Sequence, residues 1–188
     1  MNPVKNALIS CTNKHKLVPF FQGLVDKSYN VYASDGTYNF LQKYSNPGLD
    51  KYLHSVEDIT MFQNLLNGKV KTLHPNIFSG ILANRKNQND IQDIEKHNIL
   101  PIDIVCVNLY PFDNMLTHYY NHIDGQSDKS EMFNSDDIDK NKLLSNIDIG
   151  GHALLRAACK NYAHVLPVVD PNDYIDVLNY KNLMNMTE

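Results

Sequence analysis

Hydrophobic positions along the chain fall into two alternating kinds of run. Short apolar stretches rich in β-branched residues are separated by longer ones whose apolar residues recur three and four positions apart, the pattern of strands feeding crossover helices in a mostly parallel sheet. Asn6 to Cys11 (NALISC) reads as the first strand. A helix is predicted over Lys14 to Lys27, with Leu17, Phe20, Phe21, Leu24 and Val25 on one face and Pro19 in the early turns, where proline is tolerated. Asn30 to Ala33 reads as a second strand, running into Ser34-Asp35-Gly36-Thr37 and a helix whose Tyr38, Leu41 and Tyr44 face a core. Further helices are predicted across Met61 to Leu66 and around Asp90 to His97. Pro101 to Tyr110 (PIDIVCVNLY) is nearly continuous in apolar residues, as a strand covered on both faces should be, and Pro111 closes it. Ile147-Asp148-Ile149-Gly150-Gly151 leads into a helix carrying Leu154, Leu155, Ala158 and Cys159. A strand over Val165 to Val169 and a helical stretch from Asp173 finish the pattern. The class is α/β, a parallel sheet flanked by helices, without an internal repeat.

Between these elements, 117–142 carries six acidic and three basic residues and almost no aliphatic ones, too little to bury an ordered core. It is expected to be a mobile insertion in one domain spanning 1–188. It also holds −3 of the chain's net −4, so the remainder is nearly neutral and lacks the positive excess that nucleic-acid or anionic-membrane binding needs. No apolar run approaches a membrane span, and the amino-terminal residues do not read as a targeting signal. Cys11, Cys106 and Cys159 are odd in number and unpaired in sequence, and they read as separate buried thiols in a reducing compartment, with the cytoplasm as the expected location.

Open parallel sheets bind ligands at the carboxyl ends of their strands, and the loops there converge on a phosphate. After the first strand come Ser10, Thr12, Asn13 and Lys14, hydroxyls and an ammonium before a helix whose first N–H groups and dipole favour an anion. After the second come Ser34, Asp35, Gly36 and Thr37. Each loop alone also fits simple helix capping; two on adjacent strands weigh against it. Lys69-Val70-Lys71-Thr72-Leu73-His74-Pro75 is a dense set of donors in a loop or short extended piece, with a solvated basic turn as its plain alternative. Gly150 and Gly151 permit close backbone approach; Asp148 before them fits a helix cap, Lys160 an exposed helix end, and Tyr110 a structural tyrosine. The eight histidines show no metal-ligand spacing, and neither the P-loop nor the dinucleotide glycine pattern occurs.

The strings ALISCTNKHKLV, KVKTLHP (69–75), VNLYPF (107–112), IDIGG (147–151), LLRAACKN (154–161) and VVDPNDY (168–174), in this order, resemble the IMP cyclohydrolase domain that forms the N-terminal half of the bifunctional purine-biosynthesis proteins. The resemblance implies a methylglyoxal synthase-like fold, a parallel sheet with helices on both faces. It also implies dehydrative closure of 5-formamidoimidazole-4-carboxamide ribotide to inosine 5′-monophosphate (IMP), a small nucleotide substrate handled without metal or other cofactor. Carried onto this chain, it assigns Lys71, Tyr110, Asp148 and Lys160 to catalysis. Asp148 would take a proton from the attacking nitrogen, Lys160 would help deliver one to departing water, and Lys71 and Tyr110 would face the intermediate's oxygen. Ser10, Thr12, Asn13, Lys14, Ser34, Asp35, Gly36, Thr37, Lys69 and Thr72 are assigned to the nucleotide, with Asn108, Ile149 and Gly150 on the base side.

Four positions depart from the family's usual pattern: Asp35 replaces a glycine, Lys16 a glycine, Lys69 an arginine and Ala153 a small hydroxyl residue. A carboxylate facing a phosphate at about 6 Å, with an effective dielectric of about 20, costs about 3 kcal/mol per unit charge, so Asp35 is expected either to point away or to weaken binding. A homodimer is left open, as is a formyltransferase domain, covalently linked or separate, whose activity is not expected from these residues. A methylglyoxal synthase and a nucleotide- or phosphate-sensing module of the same fold are the alternatives.

Overall fold

The computed structural model describes residues 4–62, 65–114, 116–117 and 143–179. The chain divides into two units, Met1–Asn108 with Gly150–Glu188, and Leu109–Ile149. The predicted insertion over 117–142 lies outside the described residues except at its first position.

The first unit is a five-stranded, fully parallel sheet in the order β3-β2-β1-β4-β5, formed by β1 (Lys5–Cys11), β2 (Tyr29–Ala33), β3 (Leu53–Ser55), β4 (Ile104–Asn108) and β5 (Leu166–Val168). β1 is central, with Ala7 opposite both Val31 of β2 and Ile104 of β4. Alternate residues of the strands feed two cores. Ala7, Ile9, Val31, Ala33, Ile104 and Cys106 pack on one face against α1 (Leu17–Asp26), α2 (Asp35–Tyr44) and α7 (Tyr174–Asn179). Leu8, Val105 and Val107 pack on the other against α3 (Glu57–Thr60), α4 (Pro75–Leu82) and α6 (Gly150–Lys160). α5 (Gln88–Lys96) buries Ile94 alone. The five apolar residues predicted for the face of α1 are the five it buries, because their spacing makes one stripe on a 3.6-residue helix.

Other elements differ from expectation. The helix predicted across 61–66 is not found at its described residues: Met61 has φ 51° and terminates α3, and Leu66 has φ 52°. Met61, Phe62, Leu65 and Leu66 are exposed, so their helical spacing forms no core stripe. The strand predicted over 101–110 is confined to Ile104–Asn108, and Pro101 has no N–H to give a ladder. Tyr110, expected to end a buried strand, is exposed in the second unit. α4, unforeseen beyond the loop that precedes it, starts with Pro75 at its first position, and the His74 ring accepts the Asn76 N–H at 3.2 Å. β3 is three residues long, too short for periodicity to reveal.

At the amino ends of the strands, Asp103 closes the sheet. Its carboxylate accepts from the Asn6 N–H (2.7 Å) and from Arg85 (2.5 Å), and Arg85 also donates to the Ile102 carbonyl at 2.8 Å. In the second unit, taken by itself, the Thr117 hydroxyl donates to the Asp113 carbonyl at 2.8 Å, and Asn146 N–H to the Leu143 carbonyl at 3.1 Å. No helix among the described residues is long and apolar enough to cross a membrane.

Candidate functional site

β1 and β2 end side by side, and the polar residues of their loops meet there. The Lys14 ammonium bonds to the Cys11 carbonyl and donates to Thr37 Oγ1 at 2.9 Å. Thr37 Oγ1 also accepts from the Cys11 N–H at 3.1 Å and lies 3.2 Å from the Cys11 carbonyl. Ser10 and Ser34 join hydroxyl to hydroxyl at 2.9 Å. The helix-capping alternative fails at both loops: neither Lys16 before α1 nor Ser34 before α2 gives a side-chain cap hydrogen bond. Ser34 stands at the N-cap position with its hydroxyl turned to Ser10 instead. Above Gly36 the space is open, with nothing within 4 Å of where a Cβ would stand.

Half burial holds the Lys14 ammonium below its ordinary range; Cys11 opposes that shift, and nearby Lys71 adds to it by repulsion. Two cations therefore lie within electrostatic reach of one another beside α2. Asp35, the first residue of that helix, pairs with Lys71 at 3.0 Å. Its carboxylate thus binds a lysine predicted for catalysis.

Thr72 is buried on the turn that carries Lys71, while Lys69 is exposed there. α6 starts against this turn, and a Cβ on Gly150 would collide with Thr72 Oγ1, so the contact requires glycine. Asn108, assigned to the base side, spends its amide on the first loop: Oδ1 accepts from Thr12 and Asn13 N–H, both at 2.7 Å, and Nδ2 donates to the Asn13 carbonyl at 3.0 Å.

Lys160 stands apart from Gly150 on the same helix. It ends the eleven-residue α6 that Gly150 begins, about 15 Å away along the axis at 1.5 Å per residue. Its neighbour Asn161 bonds to the Ile81 and Ala83 carbonyls, at the far end of α4 from Thr72. Tyr110, Asp148 and Ile149 belong to the second unit, where Tyr110 and Ile149 are exposed.

The cysteines also depart from expectation. Cys159 is exposed, and Cys11 and Cys106 are not separate: their sulfurs face each other at 3.7 Å, with the Tyr174 hydroxyl 3.6 and 3.5 Å away. The hydrogen bond with Cys106 draws the Cys11 thiol down against burial, while Cys106 is raised by the same bond and by its burial. Sequence reasoning missed this pair and the Cys11 carbonyl that anchors Lys14; a backbone acceptor leaves no signature in residue identity.

A five-stranded parallel sheet with helices on both faces and donor-bearing loops at its strand ends is a domain of the open-sheet α/β class. The family model described as MGS-like domain matches residues 16–151, and the chain belongs to that family. It is 38% identical over 175 residues to the bifunctional purine biosynthesis protein PurH of Oenococcus oeni, covering 93% of this chain and 30% of that protein. Against the PurH of Bacillus subtilis it is 39% identical over 176 residues, covering 94% and 30%. Against that of Buchnera aphidicola it is 37% identical over 184 residues, covering 98% and 30%. The chain thus spans about 30% of the length of these curated relatives. The crystal structure of ForH superposes with a TM-score of 0.69 and 28% identity, over 94% of this chain and 78% of that one.

Proposed function

We propose that the chain is an IMP cyclohydrolase of the cytoplasm, closing 5-formamidoimidazole-4-carboxamide ribotide to IMP with the ribotide phosphate held by Ser10, Lys14, Ser34 and Thr37. The observation that carries this is their cluster: paired hydroxyls and a half-buried ammonium at the ends of adjacent parallel strands and the start of a ten-residue helix. Membership of a family whose relatives here are named for purine biosynthesis supports the choice of substrate.

Ring closure joins the carboxamide nitrogen to the formyl carbon. One proton leaves that nitrogen and one leaves the formamide nitrogen, the formyl oxygen departs with both as water, and a C=N double bond remains. The balance needs no redox partner, so positioning, proton transfer and oxyanion stabilisation are the protein's tasks. Lys71, within electrostatic reach of Lys14, lends positive charge both to the phosphate end of the site and to the intermediate. The resemblance adds Asp148 as the base, Tyr110 as a hydrogen-bond donor and Lys160 as the second proton carrier. Formyltransferase chemistry is assigned to a further domain, linked or separate, and not to these residues.

The test is to follow IMP formation by ultraviolet absorbance with the purified chain and with Lys71→Ala, Asp148→Asn and Lys160→Ala. Turnover by the parent, reduced at least about 100-fold in Lys71→Ala and Asp148→Asn, is the expected result. Full activity in both variants would remove the assignment. The Asp35 carboxylate on Lys71, a lysine assigned to catalysis, favours a second reading, a nucleotide-sensing module, for which the parent would bind IMP and turn over nothing.

A further inference from the structure

Asp35 sits where a phosphate-binding loop meets a cation. It opens α2 between Ser34 and Gly36, two residues before the Thr37 whose hydroxyl Lys14 holds, and its carboxylate lies 3.0 Å from the Lys71 ammonium. Both side chains are partly exposed, 35% for Asp35 and 21% for Lys71, so an incoming ligand can reach the pair. Two lysines within electrostatic reach of each other would together match a phosphate monoester dianion. Asp35 cancels one of those charges, and a phosphate that takes up the Lys71 ammonium must share it with, or displace, a carboxylate already bound to it.

We propose that Asp35 is an affinity-limiting residue that neutralises Lys71 in the unliganded site, lowering the site's affinity for phosphate dianions and making release of a nucleoside monophosphate easier. This rests on the nucleotide reading above and concerns the charge that the same site presents. Substrate phosphate and product phosphate carry the same charge, so the contact weakens both alike. It thereby limits how tightly the product is retained.

The test is calorimetric titration of the full chain and of Asp35→Asn and Asp35→Glu with IMP, inorganic phosphate and inosine, with melting curves to establish that each variant folds. Asp35→Asn should bind IMP and phosphate about tenfold tighter or more, with a steeper loss of affinity as salt is raised, while Asp35→Glu stays within about threefold of the parent. Inosine, which has no phosphate, should change by less than about twofold. Equal or weaker IMP binding by Asp35→Asn, with the parent still binding IMP, overturns the role of Asp35 and leaves the cyclohydrolase proposal standing. Tightening toward phosphate without IMP binding by any protein keeps the role of Asp35 and overturns the nucleotide reading. Absence of binding to both anions overturns the two together.

Discussion

The two ends of the sheet each carry a carboxylate beside a cation, and the pairs are built for different purposes. At the amino ends, the Asp103 side chain is 9% exposed and bridges the start of β1, through the Asn6 N–H, to Arg85, which also binds the Ile102 carbonyl. The Asp103 backbone continues the tie, its N–H donating to Asn6 and its carbonyl accepting from Leu166, so three strands meet through one residue. At the carboxyl ends, Asp35 and Lys71 link a helix start to a turn and stand partly in solvent. A charge pair fastened to backbone groups in a dry environment is part of the fold, and losing one partner strands the other. A pair between a loop and a helix tip can open with little loss of stability, which an anion-binding site requires.

The largest effect should come from Asp103→Ala, which leaves Arg85 and the Asn6 N–H without their carboxylate. A loss of about 3–5 kcal/mol in urea unfolding is expected, and a loss under about 1 kcal/mol would erase the distinction between the two ends. Lys16→Gly sharpens it from the other side. Lys16 holds φ 56° in the first loop, and glycine there should raise stability by about 1 kcal/mol in the same assay, showing that the binding end carries a backbone conformation that costs stability. The smallest effect is expected for Asp35→Asn, whose unfolding free energy should stay within about 1 kcal/mol of the parent even though its phosphate affinity changes. A larger destabilisation would make Asp35–Lys71 a structural pair like Asp103–Arg85.

Much of this was legible in residue order. The stripe Leu17, Phe20, Phe21, Leu24 and Val25, the apolar core of β4, and the hydroxyl-rich loops after β1 and β2 all follow from local periodicity and from residue types before a helix. Elements failed where local pattern and burial disagreed. The apolar residues around Met61 to Leu66 are exposed, and β3 was too short to show a period. In the candidate site the donors of the first two loops were legible as residue types, whereas the joining of Ser10 to Ser34 and of Lys14 to Thr37, and the bracing of the first loop by Asn108, were not.

By itself, the order of residues determined the α/β class, the burial of an apolar strand on both faces, and which loops would bear donors, because these depend on side chains a few positions apart. Only the tertiary structure decided that Asp35 meets Lys71, that Cys11 faces Cys106, and that Asp103 joins Asn6 to Arg85. These contacts join residues far apart in the chain, and nothing in either partner's neighbourhood signals the other. Their geometry exists only once parallel strands have been laid side by side and helices packed on both faces of the sheet.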